Sequence, residues 1–388
     1  MHPREKEFER NAVQTSKMAP SSHPPSTSPN ITPSTTLSTA ASHNSHTNPP
    51  MPSSPSQSLT LPFTTLDVFT SAPYTGNPLA LVRIPSQFRH LITKSQKQNI
   101  AAEFNLSETI FLHEQLEPLV PEWDVEIFTT DAELPFAGHP VIGTAAYVLG
   151  VLGAGGGEGQ EGEKGRFMTR AGGVDIAVVY DDESRDEEDG PCGIEPGKSS
   201  RVSADIPHNV HIHSRIIGDL ERSFSGLSYS PAIRKAELQA PFVSIVQGMT
   251  FLLVKLESLD MLGAVEVSGE DFNFHGVLDE GWQIGFVAKY YFVVLEEGGV
   301  TRVRSRMLET AVEDPATGSA ASALCCYLAM KGGESRRRRF EVTQGVEMGR
   351  RSVIGVEVLV GQGKEGRKVE GVKISGNAVV VMEGNLRV

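Results

Sequence analysis

Glu133-Leu134-Pro135-Phe136-Ala137-Gly138 and Glu313-Asp314-Pro315-Ala316-Thr317-Gly318 are the two stretches on which the reading of this chain turns. Both follow the pattern Glu-x-Pro-x-x-Gly and run into small and apolar residues. Both place a tyrosine, Tyr147 or Tyr327, nine residues past the glycine. An internal echo of this kind predicts two similar lobes, each built round a buried helix with a functional N-terminus. The helix starts fall at Gly138-His139 and Gly318-Ser319. A helix start carries backbone N–H groups without intrahelical partners and the positive end of the helix dipole, so it attracts anions. If the two lobes face each other, both starts converge on one small acidic ligand.

Outward from the echo, composition and periodicity outline the rest. Leu66-Asp67-Val68-Phe69 and Leu79-Ala80-Leu81-Val82 read as strands flanking the turn Tyr74-Thr75-Gly76-Asn77-Pro78. A helix is expected from Ser95 to Glu103, strands at Thr109–Leu112 and Trp123–Thr129, and a helix at Pro140–Leu149. Further strands are expected at Val174–Tyr180, Pro241–Val246 and Phe251–Val254. A hairpin joins Gly285–Leu295 to Val300–Met307 through Glu296-Glu297-Gly298-Gly299. Residues 1–58 are dominated by Ser, Thr, Pro, Asn and His and are expected to be a disordered tail, within which Met18 is an alternative start. The body then divides into an N-terminal lobe (59–205) and a C-terminal lobe (206–376), with 377–388 a terminal strand returning to the first lobe. Residues 150–165 read as a flexible Gly- and Glu-rich insertion and 181–190 as an acidic loop. The insertion contains Gly157-Glu158-Gly159-Gln160-Glu161-Gly162, formally a dinucleotide fingerprint. Its acidic side chains would repel a pyrophosphate and no strand precedes it, so it is discarded.

The formal net charge of −13 over 388 residues argues against a general nucleic-acid binder, which needs a basic surface. The run Arg336–Arg339 reads as a solvated loop. No apolar run is long enough to span a membrane, and the mean hydropathy of −0.18 is that of a globular chain. Three cysteines, Cys192, Cys325 and Cys326, are too few for a disulfide framework. The N-terminus lacks the apolar core of a secretory signal, so a cytoplasmic location is expected.

Several blocks in order resemble the phenazine-biosynthesis (PhzF-like) isomerase family. They are Asp67-Val68-Phe69, Gly76-Asn77-Pro78, Ser107-Glu108-Thr109, Phe136-Ala137-Gly138-His139-Pro140 and Glu313-Asp314-Pro315-Ala316-Thr317-Gly318-Ser319-Ala320. Gln344-Gly345 and Met348-Gly349-Arg350 fit the tail of the same signature, and the resemblance spans about residues 62–388. It implies an α+β, diaminopimelate-epimerase-like fold: two pseudo-symmetric lobes, each a curved, mostly antiparallel sheet wrapped round a central helix, with the active site between them.

The resemblance also implies roles. Glu108 is the expected proton shuttle, with His139 and Asp314 as its catalytic companions. Gly138, Gly318, Ser319 and Asn77 are expected to bind the substrate, a small carboxylate. A carboxyl can shuttle protons only if its pKa approaches working pH, and burial between lobes favours that. Epimerases and racemases of this fold use two thiols, one before each helix-start glycine. Those positions here are Ala137 and Thr317, which argues against a two-thiol racemase. Cys325 and Cys326 read as small buried residues. His208, His211 and His213 lie close in sequence, the last two on one strand face, but no neighbouring Cys or carboxylate cluster supports zinc. No metal and no cofactor are expected. The expected function is an isomerase moving a proton within a small amino or hydroxy acid; the alternative is a catalytically silent metabolite- or protein-binding member of the fold. Homodimerisation is left open.

Overall fold

Buried, mostly apolar runs build β1 (Thr60–Val68), β2 (Asn77–Ile84) and β3 (Thr109–His113) of the N-terminal half, and an alternating run builds β4 (Glu122–Phe128). Between β2 and β3 runs α1 (Lys94–Phe104), opened by a reciprocal cap between Thr93 and Gln96 and closed by Asn105 in the left-handed region. The short β5 (Glu133–Leu134) leads into α2 (Gly138–Ala146), followed by β6 (Lys164–Thr169), β7 (Gly172–Val179) and β8 (Arg201–Asp205). The computed structural model describes residues 59–115, 121–151, 164–179, 201–220, 224–270, 272, 274, 276–333, 335–363 and 366–388. The expected tail, most of the 150–165 insertion and the 181–190 loop lie outside these residues. Within the expected insertion, Gly150 belongs to a π-turn continuing α2, and Lys164-Gly165 already belong to β6.

The second half repeats the plan. β9 (His211–Ile216) and α3 (Pro231–Gln239) precede β10 (Pro241–Val246) and β11 (Met249–Lys255). Then come α4 (Leu259–Gly263), β12 (Phe286–Glu296), β13 (Val300–Glu309) and β14 (Val312–Asp314). α5 (Gly318–Lys331), β15 (Arg337–Gln344), β16 (Ser352–Gly363), β17 (Gly366–Gly376) and β18 (Ala378–Arg387) complete it. In the first half β2 runs parallel to β3 and β4 to β6. In the second, β11 runs parallel to β12 and β13 to β15. The remaining ladders are antiparallel, and β5 and β14 sit at equivalent places before the two central helices.

Strands cross between the halves. β18 follows the C-terminal half but pairs with β1 along its length. β8 lies between β7 and β17, so the sheet continues across the 205/206 boundary. The fold is thus two pseudo-symmetric halves of diaminopimelate-epimerase type.

α2 is buried from Gly138 to Ala145 and α5 over most of its length, as expected for helices apolar all round. One apolar core encloses both and takes residues from each half, including Val68, Ile142, Phe251, Leu324 and Ile374. A Cβ on Gly143 would lie 2.6 Å from Leu79 Cδ2 and 2.8 Å from Val68 Cγ2, so that glycine lets α2 seat directly on β1 and β2. The Arg336–Arg339 run corrects the sequence reading. Arg337–Arg339 open β15, where Glu357 on β16 pairs with both Arg337 and Arg339. The charge that makes the strand tolerable comes from a partner distant in sequence. Among the described residues, no helix is long and apolar enough to cross a membrane.

Candidate active site

The two echoed glycines meet. A Cβ built on Gly138 would stand 3.4 Å from Gly318 Cα, and one built on Gly318 would stand 3.5 Å from Gly138 Cα. The starts of α2 and α5 therefore abut, and neither Ala137 nor Thr317 caps its helix with a side chain. The first-turn N–H groups thus have no side-chain cap, and such groups with the helix dipole attract an anion.

Glu108 immediately precedes β3, and its side chain is 18% exposed. Its Oε2 lies 3.6 Å from His139 Nε2, which is too long for a hydrogen bond. Both atoms are buried and neither has a hydrogen-bond partner. Two unmatched polar atoms facing each other in a core are costly unless a ligand completes them. Burial pushes the Glu108 carboxyl up from its ordinary value against a hydrogen bond from Ser107. Burial also pulls His139 down to about 4, with the charge of Asp314 opposing, so the imidazole is neutral at pH 7.

Asp314, at the end of β14, is held by both halves. Asn77 Nδ2 donates to its Oδ1 at 2.9 Å and to the Ala316 carbonyl at 2.9 Å. Thr317 Oγ1 donates to its Oδ2 at 2.5 Å. Burial above all, with the Glu108 charge, leaves this carboxyl raised above its ordinary value, although the bonds from Thr317 and the Ala316 N–H work to lower it. No hydrogen bond joins Asp314 to His139. Asn77, expected as a substrate contact, has both amide hydrogens committed to Asp314 and Ala316, so it ties β2 to the start of α5. Ser319 is half-buried at the second position of α5, and its hydroxyl makes no protein hydrogen bond among the described residues.

A second tie locks the halves beside this cleft. Arg350 donates to Asp67 Oδ1 at 2.7 Å and to the carbonyls of Gly76 and Thr75. The same turn, with Tyr74 and Gly76 at positive φ, receives Arg351 O on the Gly76 N–H. Sequence reasoning named Gln344 only as part of a motif and gave Thr317 and Tyr290 no role, although all three belong to the buried network round Asp314. A signal was present. In Phe340-Glu341-Val342-Thr343-Gln344 the period of two puts the glutamine on the buried face with Phe340 and Val342.

The histidine cluster also needs a correction. His211 and His213 do have a carboxylate neighbour, Asp279, with the three ligand atoms within 4.8 Å of one another. His208 is elsewhere, its Nδ1 against the Ile206 carbonyl. The cluster is already satisfied internally. The Asp279 N–H donates to His213 Nδ1 at 3.0 Å, and His213 Nε2 faces Ser244 Oγ at 3.0 Å. Asp279 takes Ser214 N–H and Oγ–H besides His211, which stacks on Trp282. A cation would have to displace a backbone N–H from His213, so the cluster reads as a loop tie rather than a metal centre.

Comparison with known proteins identifies the family and the fold. The family described as phenazine biosynthesis-like protein matches residues 66–384. An uncharacterised isomerase of Mesorhizobium japonicum is 29% identical over 82% of this chain and 96% of its own length. The trans-2,3-dihydro-3-hydroxyanthranilate isomerase of Pseudomonas chlororaphis is 28% identical over 83% of this chain and 97% of its own. Among solved structures, a PhzF-family phenazine biosynthesis protein of Bacillus anthracis superposes with a TM-score of 0.60 at 18% identity, covering 85% of this chain and all of that one. A hydroxyproline epimerase of Agrobacterium vitis shares the fold at a TM-score of 0.51 and 13% identity, over 85% of this chain and 93% of its own. The chain is an isomerase, and it belongs to the phenazine biosynthesis-like (PhzF-like) protein family.

Proposed function

We propose that this isomerase works without a cofactor, moving a proton from one carbon to another within a small amino or hydroxy carboxylic acid, with Glu108 as the general acid/base. The observation that carries the reading is the pair of buried, unpartnered atoms Glu108 Oε2 and His139 Nε2, 3.6 Å apart beside the meeting point of two uncapped helix starts. The substrate carboxylate binds at the first-turn N–H groups of α2 and α5, with the Ser319 hydroxyl as an added donor. Glu108 in its anionic form takes a proton from the adjacent carbon, and the electron pair delocalises toward the bound carboxylate. The protonated Glu108 then returns that proton to a second carbon. Its upward-shifted pKa makes the carboxylate a better base and leaves the acid able to give the proton back. The neutral His139 binds or polarises a substrate oxygen or nitrogen.

The named relatives supply a substrate class to try first: a cyclohexadiene carboxylate such as trans-2,3-dihydro-3-hydroxyanthranilate. The protein is incubated with this compound in D2O and followed by proton NMR. Glu108→Gln keeps the shape of the side chain but cannot carry a proton. Its turnover should fall by at least about 10²–10⁴-fold, the usual contribution of such a group, while binding of anthranilate as an inert carboxylate persists. Wild-type turnover in the variant would remove Glu108 from the mechanism.

A further inference from the structure

Gln344 at the end of β15 is fully buried, and each of its hydrogen-bonding positions is filled. Two backbone groups fix which way its amide points. The Thr317 N–H can only donate, and it donates to Gln344 Oε1 at 3.2 Å. The Asp314 carbonyl can only accept, and it accepts from Gln344 Nε2 at 2.8 Å. With the amide so oriented, the second hydrogen on Nε2 goes to Thr317 Oγ1 at 3.0 Å. The Thr317 hydroxyl, having accepted there, turns its single proton to Asp314 Oδ2 at 2.5 Å. On the other side Tyr290 donates to Gln344 Oε1 at 3.0 Å, so Ser305, 2.9 Å from the phenol oxygen, must donate to Tyr290. Every arrow in the circuit is thereby determined.

The arrows end on Asp314. Its Oδ2 accepts from Thr317, its Oδ1 from Asn77, and the carboxyl also accepts from the Ala316 N–H. A proton on the Oδ2 lone pair that faces Thr317 would require the hydroxyl to reverse, and the reversed hydroxyl would have no acceptor among the described residues; two donors on the carboxyl otherwise favour its charged form. Glu108 offers the opposite environment, with Oε2 bare.

We propose that Gln344 and Thr317 are positioning residues acting through Asp314: their circuit holds Asp314 as an anion beside the helix starts and leaves Glu108 as the carboxyl that carries the mobile proton. This deepens the isomerase reading and rests on it for the role of Glu108. The groups facing Asp314 make the circuit necessary. Glu108 and Glu309 at the end of β13 are acids, Tyr290 on β12 keeps its phenol proton, and His139 on α2 is neutral at pH 7. No cation among them offsets the buried charge, so hydrogen-bond donors must. The Asn77 bond to Oδ1 comes from the other half, so the anion also joins the two lobes.

The test needs no substrate. The full-length protein is labelled with [γ-13C]aspartate, and the Asp314 resonance is identified by its loss in Asp314→Asn. In the wild type at pH 7 this resonance should sit at the carboxylate position. Thr317→Val, which keeps shape but cannot donate, should move its titration midpoint up by about one pH unit or more, as expected for loss of a hydrogen bond to a charged group. Thr317→Ser should restore the wild-type curve. A protonated Asp314 in the wild type at pH 7 overturns the proposal, and this arm stands even if Thr317→Val does not fold. An unchanged midpoint in a folded Thr317→Val overturns it equally. Neither result bears on proton exchange by Glu108, which its own assay decides.

Discussion

Replacing Gly138 by alanine tests whether the close approach of the two helix starts is the binding device. The added methyl would meet Ile374 Cδ1 at 3.1 Å and Gly318 Cα at 3.4 Å. The first contact is tight, but with a side-chain end that can turn aside; the second is van der Waals contact with backbone at the start of α5 and fills the space between the helix starts. Overpacking of this kind costs about 1–3 kcal/mol, and alanine in place of a helical glycine returns up to about 1 kcal/mol. The net loss is about 0–3 kcal/mol, a fall in melting midpoint of about 0–4 °C for a body of this size. Ile374→Val removes Cδ1 and alone costs about 0.5–1.5 kcal/mol. Combined with Gly138→Ala it should cost less than that, giving a coupling of at least about 0.5 kcal/mol. Binding should behave differently. A methyl between the helix starts, where the carboxylate is proposed to bind, should weaken anthranilate by about tenfold, and Ile374→Val should not restore it, because the methyl remains. Calorimetric titration of the three variants beside thermal melts separates the two effects. If Gly138→Ala binds anthranilate as tightly as wild type and shows no coupling to Ile374, the helix starts do not form the carboxylate site.

Other perturbations have definite outcomes. Glu237 is fully buried among Lys289, Tyr291 OH and the Ser228 N–H, so Glu237→Ala should cost about 3–5 kcal/mol by leaving Lys289 unpaired; a denaturant midpoint within error of wild type would contradict this. Burial, helped by His211 and opposed by Asp279, lowers His213 to about 4 from an ordinary 6.5. The folded state then binds fewer protons than the unfolded one between those values, so the stability from neutral His213 is full above about 6.5 and declines toward 4. His213→Asn, which keeps an acceptor for the Asp279 N–H, should flatten the melting midpoint over that window. Glu126 responds lower. Burial raises it, but bonds from His113 and Lys97 outweigh that and hold it at about 2, so its contribution is present above 4.5 and lost as pH falls toward 2. Glu126→Gln should therefore shrink the loss of stability in the more acid limb, and an unaltered acid transition would reject the pairing. Dialysis against a chelator should leave the melting curve and exchange unchanged, whereas a zinc-dependent rise of several degrees would promote His211, His213 and Asp279 to a metal centre.

Much of the fold could be read from local pattern because its elements announce themselves locally. The Glu-x-Pro-x-x-Gly echo located both central helices, and the turn at Tyr74–Pro78 located β2 and the end of β1. A buried run located β3, alternation located β4, and a Glu-Glu-Gly-Gly turn located the β12–β13 hairpin, while β1 starts six residues before the expected Leu66. Part of what escaped depends on partners remote in sequence, although β16 and β17, whose alternation is local, were not expected either. Four arginines in a row carry no strand signal, yet β15 forms because β13 and β16 flank it and Glu357 faces two of them. Asp279 lies far along the chain from His211 and His213, so the cluster looked unsupported. At the site, the residue types of Glu108, His139 and Asp314 could be read, but what each touches could not. Asn77 faces Asp314 rather than open space, and Thr317, judged only by its inability to act as a thiol, proves to be the donor that meets Asp314.

That placement of Thr317 bears on which reaction the cleft can perform. Inverting a carbon centre needs one group to remove a proton from one face and a second to deliver a proton to the other, which two opposed thiols could do from the two helix starts. Here neither of the two thiol positions supplies such a group. Ala137 has no proton, and the Thr317 hydroxyl is directed at Asp314 Oδ2. The proposed proton carrier comes instead from one side only, at the head of β3, where Glu108 faces a neutral imidazole. A single carrier can return a proton only to the face from which it took it, unless the substrate turns over in a site that grips its carboxylate. Geometry with one carrier and a fixed anchor therefore favours moving a proton between neighbouring carbons on one face and disfavours racemisation, on the same fold that a hydroxyproline epimerase also uses.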